Sequence, residues 1–182
     1  MYSPSILDAE HIFVGTQHSF PDELQGYGAG QATNAAYPAA NLLIAVPLYI
    51  RAPFLAQQIA WHNGTVTGST SMECSVYNEA GTVKLITSGV VTQSGNGIPQ
   101  AVTLTGGLYI PRGRYWIALV AGNNTTQFNR FTGAAAAVNM QKLLGTSEQS
   151  LGSTALPASL TFGTASNNYI PIMGLSGLVL SI

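Results

Sequence analysis

Ser71-Met72-Glu73-Cys74-Ser75-Val76-Tyr77-Asn78-Glu79-Ala80-Gly81-Thr82-Val83 is the stretch whose reading decides the fold class. Met72, Cys74 and Val76 alternate with Glu73, Ser75 and Tyr77, and a period of two sends each set to its own face of a strand. That pattern predicts a half-buried strand with Glu73, Ser75 and Tyr77 facing outward. Asn78 to Gly81 is a cluster of turn-forming residues that hands over to Val83 to Thr87, so the two runs predict a β-hairpin.

Working outward, Arg114 to Ala121 is apolar at almost every position and is closed by Gly122-Asn123-Asn124. Continuous apolarity rich in aromatic and branched residues predicts a central strand covered on both faces. Pro111-Arg112-Gly113 before it predicts a second hairpin. Leu42 to Ile50 and Leu55 to Trp61 read as two more strands, with Pro47 and Pro53 pushing their neighbourhoods toward sheet edges or bends. Ala101 to Leu104 and Leu108 to Ile110 add short pieces.

The flanks differ in texture. Residues 1–40 hold four of the seven acids (Asp8, Glu10, Asp22, Glu23) and then a small-residue tract from Gly26 to Ala40, which reads as an extended N-terminal arm. Ala134 to Leu144, set between Gly133 and Gly145, predicts one short helix. A polar loop and two apolar runs follow, Leu156 to Phe162 and Tyr169 to Ile182, the latter closing the sheet as a final strand. Many short strands with twenty glycines and nine prolines predict an all-β fold: an antiparallel, jelly-roll-like β-sandwich over residues 41–182, preceded by the arm.

Composition narrows the function. The 182 residues include six Lys or Arg and seven Asp or Glu, 7% charged in all, against about 25% in an ordinary soluble domain. Six scattered cations and a net charge of −1 do not neutralise a run of phosphates, and they make no polybasic membrane anchor. No nucleic-acid or membrane partner is expected. With 46% hydrophobic residues the chain is the opposite of a disordered one, and Cys74, the single cysteine, leaves the fold independent of an internal disulfide. Met1 to Val14 has no Lys or Arg to serve a secretory signal, and no apolar run reaches the roughly 20 residues of a membrane-spanning helix. The expectation is a protein made in the cytoplasm that works packed against other protein.

Residues for chemistry are few. His11 and His18 lie near Asp8 and Glu10 without the spacing of a metal site, and His62 precedes the turn-like Asn63-Gly64. Glu73 and Glu79 would stand roughly 20 Å apart on a straight strand, too far for a glycosidase pair unless the turn shortens the gap. Thr87-Ser88-Gly89 has no histidine near it in sequence. Cys74 shares its face with Met72 and Val76 and reads as a core residue. Gly26, Gly28 and Gly30 lack the preceding strand and following helix of a dinucleotide loop. No catalytic residue, cofactor or metal is expected. Trp61, Trp116 and the tyrosines are candidate stacking faces for a sugar. Asn63, Asn123 and Asn124 begin glycosylation sequons and read as turn residues.

Val76-Tyr77-Asn78-Glu79-Ala80-Gly81, then Val102-Thr103-Leu104, then Ile110-Pro111-Arg112-Gly113-Arg114-Tyr115-Trp116-Ile117-Ala118 form a familiar arrangement. Over roughly residues 45 to 131 the chain resembles a β-sandwich module of tailed-bacteriophage virion proteins, in which a Tyr-x-x-x-Gly hairpin precedes a Pro-Gly-x-Tyr-Trp-x-Ala strand. Here Arg112 intervenes between Pro111 and Gly113. The resemblance implies a non-enzymatic structural role on the particle exterior, as capsid decoration (cement) or adaptor protein. It implies a homo-oligomer, expected as a trimer, that also contacts the major capsid or tail proteins. Tail fibre or baseplate component, or a carbohydrate-binding module for a host-surface glycan, are the alternatives. The arm is expected to reach a neighbouring subunit.

Overall fold

The computed structural model describes residues 6–13, 32–50, 52–67, 70–131, 146–165 and 169–180. Among them every regular element is a strand and every ladder is antiparallel. The strands are β1 (Ile6–Phe13), β2 (Ala32–Ala36), β3 (Leu42–Ile50), β4 (Phe54–His62), β5 (Ser71–Tyr77), β6 (Lys84–Thr87), β7 (Val91–Thr92), β8 (Pro99–Ile110), β9 (Gly113–Ala121), β10 (Gln127–Phe131), β11 (Ser147–Ser150) and β12 (Met173–Leu180). The helix expected at 134–144 lies outside the described residues.

Two larger sheets carry the fold. One has the order β1-β12-β4-β8; the other runs β11-β3-β9-β5-β6, with β7 also paired to β5. A third, two-stranded sheet joins β10 to β2. Both large sheets send side chains into one core, where Val46, Cys74 and Leu119 of the second sheet join Phe54, Trp61 and Leu175 of the first. Burying each such aliphatic or aromatic side chain is worth about 1.5–3 kcal/mol. Tyr37 enters the same core from the segment expected as an arm. Its ring stands edge-on to Phe128 and Tyr169, and its hydroxyl lies 2.6 Å from the Leu42 carbonyl and 2.8 Å from that of Leu119.

The hairpin over 71–87 is present as β5 and β6, with Val76 opposite Ile86. Its turn is built by Asn78, whose Oδ1 accepts from the amides of Thr82 and Val83, and by Gly81 at a φ of 70°, where a side chain would be strained. The strand is not half-buried, however. Glu73, Ser75 and Tyr77 are as buried as Met72, Cys74 and Val76, because residues 151–163 lie across the outer face of the second sheet. There Leu43, Tyr77, Trp116, Val120 and Leu156 form a second apolar cluster, with Leu151 and Leu160 packed against it. This cover also explains why β9, as its apolarity predicts, is buried on both faces.

The second expected hairpin is replaced by a corner. β8 and β9 belong to different sheets: Ile110 pairs with Phe54 of β4, while Gly113 pairs with Ile50 of β3. The two residues between them carry the chain from one sheet to the other. Pro111 supplies no donor to a ladder, and its carbonyl accepts from the Tyr115 hydroxyl at 2.9 Å. The β3–β4 link crosses beside it, with Pro53 in the bend. Pro47 sits just past Ala45, where the described β11–β3 ladder stops.

Candidate interaction surface

The aromatic groups that could stack on a sugar are placed first by burial. Trp61 has no exposed surface and Trp116 is buried against Phe162, their ring centroids 4.7 Å apart. Neither indole presents a face to solvent, and both N–H groups are consumed, by Asn63 Oδ1 at 3.1 Å and by the Glu79 carbonyl at 2.8 Å. Tyr37, Tyr77 and Tyr169 are buried as well. Among the described tyrosines Tyr109 is the exposed one, 52% accessible, at the end of β8.

Asn63 is a node that the sequence reads only as a turn residue. It is fully buried; its Oδ1 accepts from Trp61 and from Gln93 Nε2 at 3.0 Å, and its Nδ2 donates to the Ser94 carbonyl and to Gln100 Oε1. Thr126 donates to Gln93 Oε1, extending the chain of bonds. His62 joins at the edge of this network through contacts of its Nδ1 with the Asn63 carbonyl and with Asn129. Buried polar groups satisfied in this way fix a unique arrangement. The network sets where β4, β10 and the start of β8 meet.

Glu73 is the second buried polar centre. Its Oε1 accepts from Ser75 Oγ at 2.9 Å, Thr87 Oγ1 at 2.7 Å and Lys84 Nζ at 2.9 Å, and its Oε2 accepts the Leu156 amide at 2.7 Å. Burial opposes its ionisation, but the bonds from Thr87, Leu156, Lys84 and Ser75 outweigh burial and hold its pKa below the ordinary carboxylate value. Lys84 also donates to the Leu156 carbonyl at 2.7 Å. This carboxylate therefore clamps the 151–163 cover to the hairpin. Glu79 is exposed in the turn and is not brought into the clamp.

The remaining residues with chemistry in view stay apart. Cys74 is a buried free thiol, and Ser88 Oγ accepts the Cys74 amide while donating to the Gly89 carbonyl. His11 lies in β1 opposite Ser176; His18 is outside the described residues. Among the described residues no three His, Cys, Asp or Glu stand close enough to hold a metal ion.

What the surface does offer is an uncharged edge. Residues 85–111 hold no charged side chain, and Lys84, just before them, is engaged by Glu73. Among the exposed large hydrophobic residues Leu85, Val90, Ile98, Leu108 and Tyr109 fall in this stretch. It comprises most of β6, then β7, and the whole of β8, the edge strand of the first sheet. Gln100 ties β7 to β8 by donating to the Thr92 carbonyl and accepting the Ser94 amide. Val91 of β7 and Val102 and Leu104 of β8 close the same core, so the two sheet edges run side by side. The start of β6 is already covered, since the Lys84 amide donates to the Ala158 carbonyl. No described strand pairs with the outer side of β8. No family model and no curated protein matches the chain.

Proposed function

We propose that this chain is a non-enzymatic structural protein of a bacteriophage virion, a jelly-roll-like sandwich on the particle exterior that serves as capsid decoration (cement) or adaptor protein. The observation that carries the reading is the uncharged run 85–111, set along the sides of both sheets with Leu85, Val90, Ile98, Leu108 and Tyr109 exposed. Native edges of this kind are blunted by charge when a protein works alone, and exposed apolar surface marks contact with other protein. The motif resemblance over residues 45 to 131 supplies the setting. Glu73, the carboxylate buried among four donors, serves as a clamp in this reading, which leaves it no part in acid–base chemistry.

Antibody labelling of purified particles, imaged by electron microscopy, tests the proposal. Label over the head shell supports the decoration or adaptor role, and label on the tail moves the protein to a fibre or baseplate. Particles without label overturn the reading. The glycan-binding alternative then rests on Tyr109, since both tryptophans are buried, and a glycan array read with wild type and Tyr109→Ala decides it.

A further inference from the structure

We propose that the outer side of β8 is the docking edge for a second copy of this chain. The inference deepens the structural-protein reading by naming the surface through which copies join, and takes only its setting from that reading. The edge is the last strand of its sheet, with backbone groups on its outer side that no described strand meets. Ala101, Thr103 and Thr105 are exposed along it, Ile98 stands 54% accessible at one end, and Leu108 and Tyr109 are exposed at the other.

Charge selects the occupant. When identical strands meet, residues of one copy face residues of the other, and like charges opposite each other are destabilising. In a two-fold pairing a lysine at or beside the axis would face its own copy. From Leu85 to Pro111 there is none, so a copy can approach in any register without repulsion. The same stretch has no charge with which to steer or select a charged partner of another kind.

A bulge limits the ladder. Ala56 pairs with Leu108 and Gln58 with Thr103, so residues 104–107 are looped out, with Gly106 and Gly107 at φ of 77° and 67°. Pairing between copies therefore uses Pro99–Thr103, and Ile98, Leu108 and Tyr109 supply the flanking apolar contact.

Sedimentation velocity on the full chain over a range of concentrations, with hydrogen exchange on the same samples, tests this. The expected result is a concentration-dependent species of higher mass, with amides of Gln100–Thr103 gaining protection as it forms. The double variant Ala101→Lys, Thr103→Lys is expected to lose that species while keeping its circular dichroism spectrum and melting midpoint; Ala40→Lys, at an exposed turn before β3, is expected to keep it. A wild type that stays monomeric, or a multimer whose 100–103 amides gain no protection, overturns the proposal, and the exchange result stands even if the double variant fails to fold. A multimer assembled through β8 that labels no particle would leave this inference standing and sink the virion reading instead.

Discussion

At the scale of single residues, Glu73 shows how a charge-poor protein uses one of its few charges. A carboxylate at 4% side-chain exposure would be costly alone, and four donors make it tolerable. Removing it leaves the Leu156 amide without its acceptor and the Lys84 ammonium with the Leu156 carbonyl alone, so Glu73→Ala is expected to destabilise the fold by about 2–4 kcal/mol, somewhat less than a broken fully buried pair because Lys84 is partly exposed. Urea unfolding measures it, and a loss under about 1 kcal/mol would show that the clamp is dispensable. The pH dependence has a definite sign. Since the folded pKa lies below the ordinary carboxylate value, the stabilisation is complete at neutral pH and is lost as pH falls below that ordinary value and through the folded pKa. In Glu73→Gln that part of the acid-side slope should vanish. Beside it, Cys74 has its thiol pushed up by burial and then by the Glu73 charge. Native protein is expected to resist a thiol reagent and to react only on unfolding; prompt labelling of folded protein would contradict the buried placement.

At the scale of elements, the decisive features are joins between strands, and here sequence and structure part in an instructive way. The alternation of 71–77 and the continuous apolarity of 114–121 are local patterns, and β5 and β9 follow from them. What covers their outer face comes from residues 151–163, about 80 positions away in the chain for Glu73 and Leu156; no periodicity in either segment announces that meeting. The Pro111-Arg112-Gly113 corner fails as a hairpin for a related reason, because two turn-forming residues serve equally to reverse a strand within a sheet or to carry it across to another. Tyr37 and Asn63 were hidden by their neighbours: one sits in a small-residue tract, the other in an Asn-Gly pair that usually marks a tight turn. β11, four residues in a polar loop, offered no apolar signal to read. Gly177 is a clear case of backbone need. It stands at the register shift where β12 meets β4, and a methyl group there would overlap the Leu55 carbonyl oxygen. Gly177→Ala is expected to cost more than about 3 kcal/mol, or to unfold the chain outright, measured by thermal melting; a melting midpoint equal to wild type would mean that the ladder shifts freely at this bulge.

At the scale of the whole molecule, the segment 1–40 acts as more than a tether. β1 runs along β12 from Ile6 opposite Leu180 to Phe13 opposite Gly174, and β2 pairs with β10. Deleting residues 1–25 removes β1 and leaves β2 to β12 in the chain. The truncated chain is expected to unfold in one cooperative transition, with a melting midpoint lowered by roughly 2–4 °C for each kcal/mol that β1 contributes. Loss of cooperativity would mean instead that β12 needs β1 to hold its place against β4. The same truncation exchanges the β1 edge, which carries Asp8 and Glu10, for the uncharged β12 edge, since the β12 groups that β1 satisfied now face solvent. Two open edges on one sheet, β12 at one side and β8 at the other, favour continued addition of copies over a closed assembly. Light scattering on the truncated protein should show growth without a fixed limit, and that growth should stop when Ala101→Lys and Thr103→Lys are added, because then only one edge remains uncharged and open.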